Sequence, residues 1–182
     1  MKTRLFGSKE IDDLIEEKKS EIRSLIEAKK EDYILDVNEK EFIDYIYGEY
    51  YIEKIDFDLD KVKVSSYESD TRHDKFTREN YFFQVVVYHV PISGNKGLLK
   101  YKPSRTYINY FPEVYLDYEE KNLCFEIEVI NINKEVVGSR ADYILDTIKK
   151  QSFHLNFNSF YYIWCWNYKT LRNIFFFHYW HF

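Results

Sequence analysis

The sequence predicts an α+β domain built from N-terminal helices, an antiparallel β meander and a C-terminal helix. Apolar residues recur at helical spacing over the first fifty positions, then alternate or run together to about residue 130, then return to helical spacing. Helices gathered before and after a block of strands argue against a doubly wound parallel sheet, which alternates the two. The expected organisation is one domain over 1–150, with helices at 8–32 and 38–48, strands over about 51–130 and a helix at 133–150. An aromatic-rich tail follows at 151–182.

In the first helix Ile11, Leu14, Ile15, Ile22, Leu25 and Ile26 share one face, and Lys, Glu and Arg fill the other. Such a stripe suits docking on a sheet, or a helical contact with a protein partner or a second copy of the chain. The second helix opens on Asn38 and Glu41, the spacing of a capping box, with Val37 and Phe42 placed as a hydrophobic staple. Its buried face would be Phe42, Ile43, Ile46 and Tyr50, and Gly48 falls near its end. Ile52, Ile55, Phe57, Val62 and Val64 then alternate with polar residues. Tyr81 to Val90 is a continuous β-branched and aromatic run, the composition of a central strand covered on both faces. Tyr107–Tyr110, Glu113–Tyr118 and Leu123–Ile130 complete the strands, with Glu119 to Asn122 as the last turn. The final helix should turn Val136, Val137, Tyr143, Ile144 and Ile148 inward. Gly138 weakens it by about 1 kcal/mol relative to Ala.

The composition changes abruptly at about residue 151. Of 18 Tyr, 15 Phe and 3 Trp, 14 lie in residues 151–182, all three tryptophans among them. That stretch holds Lys169, Arg172 and no acid, whereas residues 1–150 carry 24 basic and 31 acidic side chains. Three readings compete. A membrane span needs roughly 20 predominantly apolar residues, and His154, Asn156, Asn158, Ser159 and Asn167 interrupt this one. An aromatic segment packed on the domain or at an interface is the second reading. The third is a slipped reading frame, because an AT-rich gene read out of frame yields Phe, Tyr, Ile, Asn and His with stray Trp and Cys. The sudden change of vocabulary favours the third and leaves the second open.

The net charge of -5 argues against a general affinity for nucleic acid or anionic membrane. Two cysteines, Cys124 and Cys165, make neither a disulfide framework nor a four-cysteine zinc site. Met1-Lys2-Thr3-Arg4 leads into charged helix with no apolar signal core, so the expected compartment is cytoplasmic.

Few residues invite chemistry. His89 ends the long strand and would face a cleft at its tip, although a histidine bonded to a turn carbonyl explains it as simply. Asp70 and Asp74 flank His73 in a polar loop where such side chains are ordinarily solvated. Glu119-x-Lys121 with Asp117 upstream matches half of a nuclease pattern, but all three crowd one hairpin turn. Glu126 and Glu128 alternate with apolar residues and read as the solvent face of a strand. Lys96, Lys100, Lys102 and Arg105 form the one short basic cluster able to meet a phosphate backbone. No P-loop, dinucleotide-binding glycine motif or zinc ligand set occurs, so no cofactor or metal is expected.

The segment His89-Val90-Pro91-Ile92-Ser93-Gly94-Asn95 is followed by Leu98-Leu99-Lys100-Tyr101-Lys102-Pro103-Ser104. It resembles an uncharacterised bacterial protein family with a His-Val-Pro-x-x-Gly … Tyr-x-Pro-Ser pattern after a long strand. The resemblance spans roughly residues 80–150 and stops at Lys149-Lys150-Gln151, where the composition changes. It implies a helix that runs on for several turns to a basic segment, so the C-terminal part here reads as truncated or frame-shifted. It also implies an accessory protein of bacterial genomic islands, with no activity attached.

The sequence thus points to a non-enzymatic protein-binding accessory module, with a partner or self-association through residues 8–32. The alternative is a metal-dependent hydrolase or nuclease using His89 with Asp70, Asp74 or Glu119. A nucleic-acid-binding protein using the 96–105 loop is a further alternative.

Overall fold

The computed structural model describes residues 2–7, 9–29, 38–68, 72–73, 76, 78, 80–104, 112–129 and 134–179. At 39, 72, 81 and 158–179 it describes the backbone alone. Among the described residues three α-helices form: α1 (Ile11–Glu27), α2 (Glu39–Tyr50) and α3 (Lys134–Tyr179). The strands are β1 (Thr3–Arg4), β2 (Lys9–Glu10), β3 (Ile55–Phe57), β4 (Lys63–Glu68) and β5 (Arg72–His73). They continue with β6 (Asn80–Tyr81), β7 (Gln84–Gly94), β8 (Tyr101–Lys102), β9 (Glu113–Leu116) and β10 (Asn122–Val129). The α+β class holds. Val37, Tyr107–Tyr110, Ile130 and Asn133 lie outside the described residues.

The main sheet is antiparallel throughout, with β1, β9, β10, β7 and β3 side by side and β4 on the β3 side of β7. Spatial order departs from chain order: β1 lies beside β9, and β10 lies between β7 and β9. The expected Tyr81–Val90 strand is divided. Tyr81 belongs to a separate pairing of β5 with β6, and the central strand runs from Gln84 through Pro91 to Gly94.

A proline inside a central strand removes a ladder donor. Here Pro91 sits where β7 changes neighbours, from β4 over Gln84–His89 to β3 over Ile92–Gly94. Its carbonyl accepts from the Asp58 N–H at 2.9 Å, so the gap between the two neighbours is bridged. Gly94 ends the strand at φ 78°. A Cβ there would lie 1.9 Å from the Lys54 carbonyl oxygen, so glycine alone fits. The proline and glycine of the His-Val-Pro-x-x-Gly pattern both have local structural reasons.

One face of the sheet carries the core. Val86, Val90 and Ile92 of β7 and Leu123, Phe125, Ile127 and Val129 of β10 meet α1 and α3 there. Tyr88 stacks on Phe125 with ring centroids 4.9 Å apart. Ile11 and Ile15 of α1 join this cluster, while Ile22 and Ile26 pack with Phe42 and Ile46 of α2 in a second one. The four isoleucines of the α1 stripe are therefore buried against the chain's own elements. Leu14 and Leu25 of the same stripe are only partly buried. Asn38 caps α2, its Oδ1 accepting from the N–H groups of Lys40 and Glu41, the latter as the capping-box spacing predicts.

Helix α3 buries Val137, Ala141, Ile144, Ile148 and Leu155, a spacing of fours and threes that runs through the buried Gln151. Thr147 is also buried, and its hydroxyl donates to the Tyr143 carbonyl at 2.8 Å. Val136 and Tyr143, expected inward, are exposed because they flank this seam rather than lie on it. The helix does not stop at 150. Residues through Asn156 are tied into the body, so the change of composition at 151 is no change of secondary structure. Among the described residues no helix is long and apolar enough to cross a membrane.

Candidate functional site

The sheet face turned away from the helices gathers the polar chemistry. Strand alternation places Val85, Val87 and His89 of β7 on it, with Cys124, Glu126 and Glu128 of β10 and Ser65 and Tyr67 of β4. Val85, Val87 and Cys124 form a small buried cluster against which Tyr115 packs. Glu126 is the electrostatic centre. Its carboxylate takes Lys2 at 2.6 Å and hydrogen bonds from Tyr67 and Tyr115. Burial, then the nearby Glu126 charge, holds the Tyr115 hydroxyl well above its ordinary range.

His89 lies beside side chains of two neighbouring strands and not against the expected turn carbonyl. Its Nε2 is 2.9 Å from Ser65 Oγ, and its Nδ1 is 3.3 Å from Cys124 Sγ. The register explains both contacts, since Lys63 and Cys124 lie opposite His89 and Ser65 is two residues along β4. Sequence reading missed Ser65 and Cys124, because only the pairing of three strands brings them to the imidazole. The triplet resembles a hydroxyl–imidazole–thiol relay, but its electrostatics oppose nucleophilic chemistry. Burial pushes the Cys124 thiol up to about 11, and the charges of Asp117 and Glu126 add to the effect. A reactive cysteine needs a lowered pKa and access. Cys124 is fully buried and stays a neutral thiol.

Of the candidate carboxylates, Glu119 lies among the described residues. Glu119 turns to Lys121 at 2.6 Å in the β9–β10 hairpin. Asp70 and Asp74 lie outside the described residues. Among the described residues no three His, Cys, Asp or Glu side chains gather to hold a metal ion. Asp117, noted beside Glu119, serves the turn. It accepts from the N–H groups of Lys121 and Asn122 and from the Asn122 side chain, which holds its carboxyl below the usual carboxylate range.

The basic cluster is also divided. Lys96 faces Glu120 at 3.7 Å, and Lys102 pairs with Glu10 across the β2–β8 contact. Arg105 lies outside the described residues. Lys100 shares the Lys96–Lys100 turn with Lys96, so among the described residues two of the lysines stay together and Lys102 stands on β8.

No family model, curated protein or solved structure matches the chain. The His89–Ser104 pattern therefore gains no relative from these comparisons.

Proposed function

We propose that the chain is a non-enzymatic module that binds another protein, an accessory component that acts by contact. The observation that carries this reading is the edge strand β4. Among the described residues it pairs with β7 alone, and its 6 residues are all exposed. Val64 and Tyr67 keep 58% and 50% of their surface in water. An edge of this kind offers unpaired N–H and C=O groups to an extended segment of a partner, with side-chain contacts adding selectivity. The β3 side is closed instead, because the Asn156 side chain occupies the backbone of Ile55. Lys63 and Glu68 at the ends of β4 limit stacking into longer sheets.

Substitution on the edge tests the reading. Val64→Lys and Ser66→Lys should abolish co-purification of a partner that reconstitutes with the purified chain. Both should leave stability within about 0.5 kcal/mol, as surface changes do. A partner retained by both variants, or cross-linked only to surfaces remote from β4, would overturn it.

A further inference from the structure

We propose that the cleft between the Lys96–Lys100 turn and the β9–β10 hairpin binds a small amphipathic carboxylate, hydrocarbon inward and charge at Lys96. The cleft is half open to solvent and has a volume of ≈ 540 Å³, within the range of about 300–1,000 Å³ seen for small-molecule sites. Leu99, Val114 and Leu123 line it and are buried, with the half-buried Leu116 beside them. Two lysines, Lys96 and Lys100, and two acids, Asp117 and Glu120, supply its charge.

The acids are not equivalent. Asp117 is committed to the turn: one oxygen accepts from the Lys121 and Asn122 N–H groups at 2.7 and 3.1 Å, the other from Asn122 Nδ2 at 2.6 Å. Glu120 is an exposed side chain facing Lys96 at 3.7 Å, a loose pair. An incoming carboxylate replaces Glu120 against the Lys96 ammonium, and its hydrocarbon covers Leu99 and Leu116. A neutral ligand gains the apolar wall without the head contact. A short anion gains one exposed ion pair, which is worth little by itself. Both parts are needed, which selects the amphipathic class.

Titration of the full chain with sodium octanoate, followed by NMR shifts of the Leu99 and Leu116 methyls, tests the site. Octan-1-ol and acetate are the controls. Saturable shifts are expected for octanoate, with weaker binding of both controls. Lys96→Gln should weaken octanoate binding about two- to fivefold, and Glu120→Gln should tighten it by a similar factor. These surface positions leave the folded spectrum intact, so the opposite signs report on binding. Shifts that never saturate, octan-1-ol binding as tightly as octanoate, or variants with unchanged affinity would each overturn the proposal.

Discussion

Asn156 holds Ile55 by both of its backbone groups. The Asn156 Oδ1 accepts from the Ile55 N–H at 3.0 Å, and its Nδ2 donates to the Ile55 carbonyl at 2.7 Å. A side-chain amide therefore stands where the backbone of another strand would stand, and it closes the outer edge of β3. Removing it leaves a fully buried residue with two unpaired backbone groups. Asn156→Ala should cost about 1–3 kcal/mol, the scale of losing partners for buried polar groups. Urea denaturation of the two chains measures it.

The same contact separates two chain lengths. A chain ending after Gln151 loses Leu155, which is fully buried, together with Asn156. A chain ending after Phe157 keeps both. The shorter one should melt several degrees lower, since losing a buried leucine costs about 2–5 kcal/mol. The longer one should melt close to the full chain. If the remaining aromatic residues came from a slipped frame, the 157-residue chain will also be the more soluble of it and the full chain. Equal melting of both truncations would sink this account of α3.

Two glycines should respond to alanine with opposite signs. Gly94 sits at φ 78° against the Lys54 carbonyl, so Gly94→Ala should destabilise by at least about 1–3 kcal/mol. Gly138 lies inside α3, and a Cβ there meets nothing within 4 Å. Gly138→Ala should stabilise by about 0.4–1 kcal/mol. Thermal melts of the two variants decide both.

Alkaline pH should weaken the fold. The Cys124 thiol rises from 9.0 to about 11 in the folded chain, chiefly through burial. Between these values the unfolded chain loses the proton and the folded chain keeps it. The unfolded state then binds fewer protons, and stability falls as pH rises. Tyr115, raised above its ordinary 10.0, acts in the same direction at higher pH. The urea midpoint should drop between about pH 8 and pH 11, and Cys124→Ala should flatten the part of that slope lying near pH 9 to 11. A midpoint insensitive to pH over this window would contradict the buried-thiol assignment.

Helical spacing alone was enough to place Ile11, Ile15, Ile22 and Ile26 on one face and to start α2 at Asn38, because those patterns depend on neighbours within two turns. The same local logic marked the Leu123 strand and its turn. Sequence could not say what the α1 stripe meets. Burial against Phe42 and Ile46 depends on where a second helix comes to rest, and periodicity carries no information about that. It also ended α3 too early, because the change of composition at 151 set the expected end of the helix, whereas the buried Gln151 and Leu155 carry the seam onward. The environment of His89 was least legible. Ser65 and Cys124 lie 24 and 35 residues away from it, and only strand register brings them within hydrogen-bond reach. The sequence by itself determined where α1 and α2 lie, the apolar face of α1 and the strand ending near Val129, since short-range sterics and spacing set these. Tertiary structure alone decided the strand order, the closure of β3 by Asn156 and the upward shift of the Cys124 thiol, because each depends on contacts between residues remote in the chain.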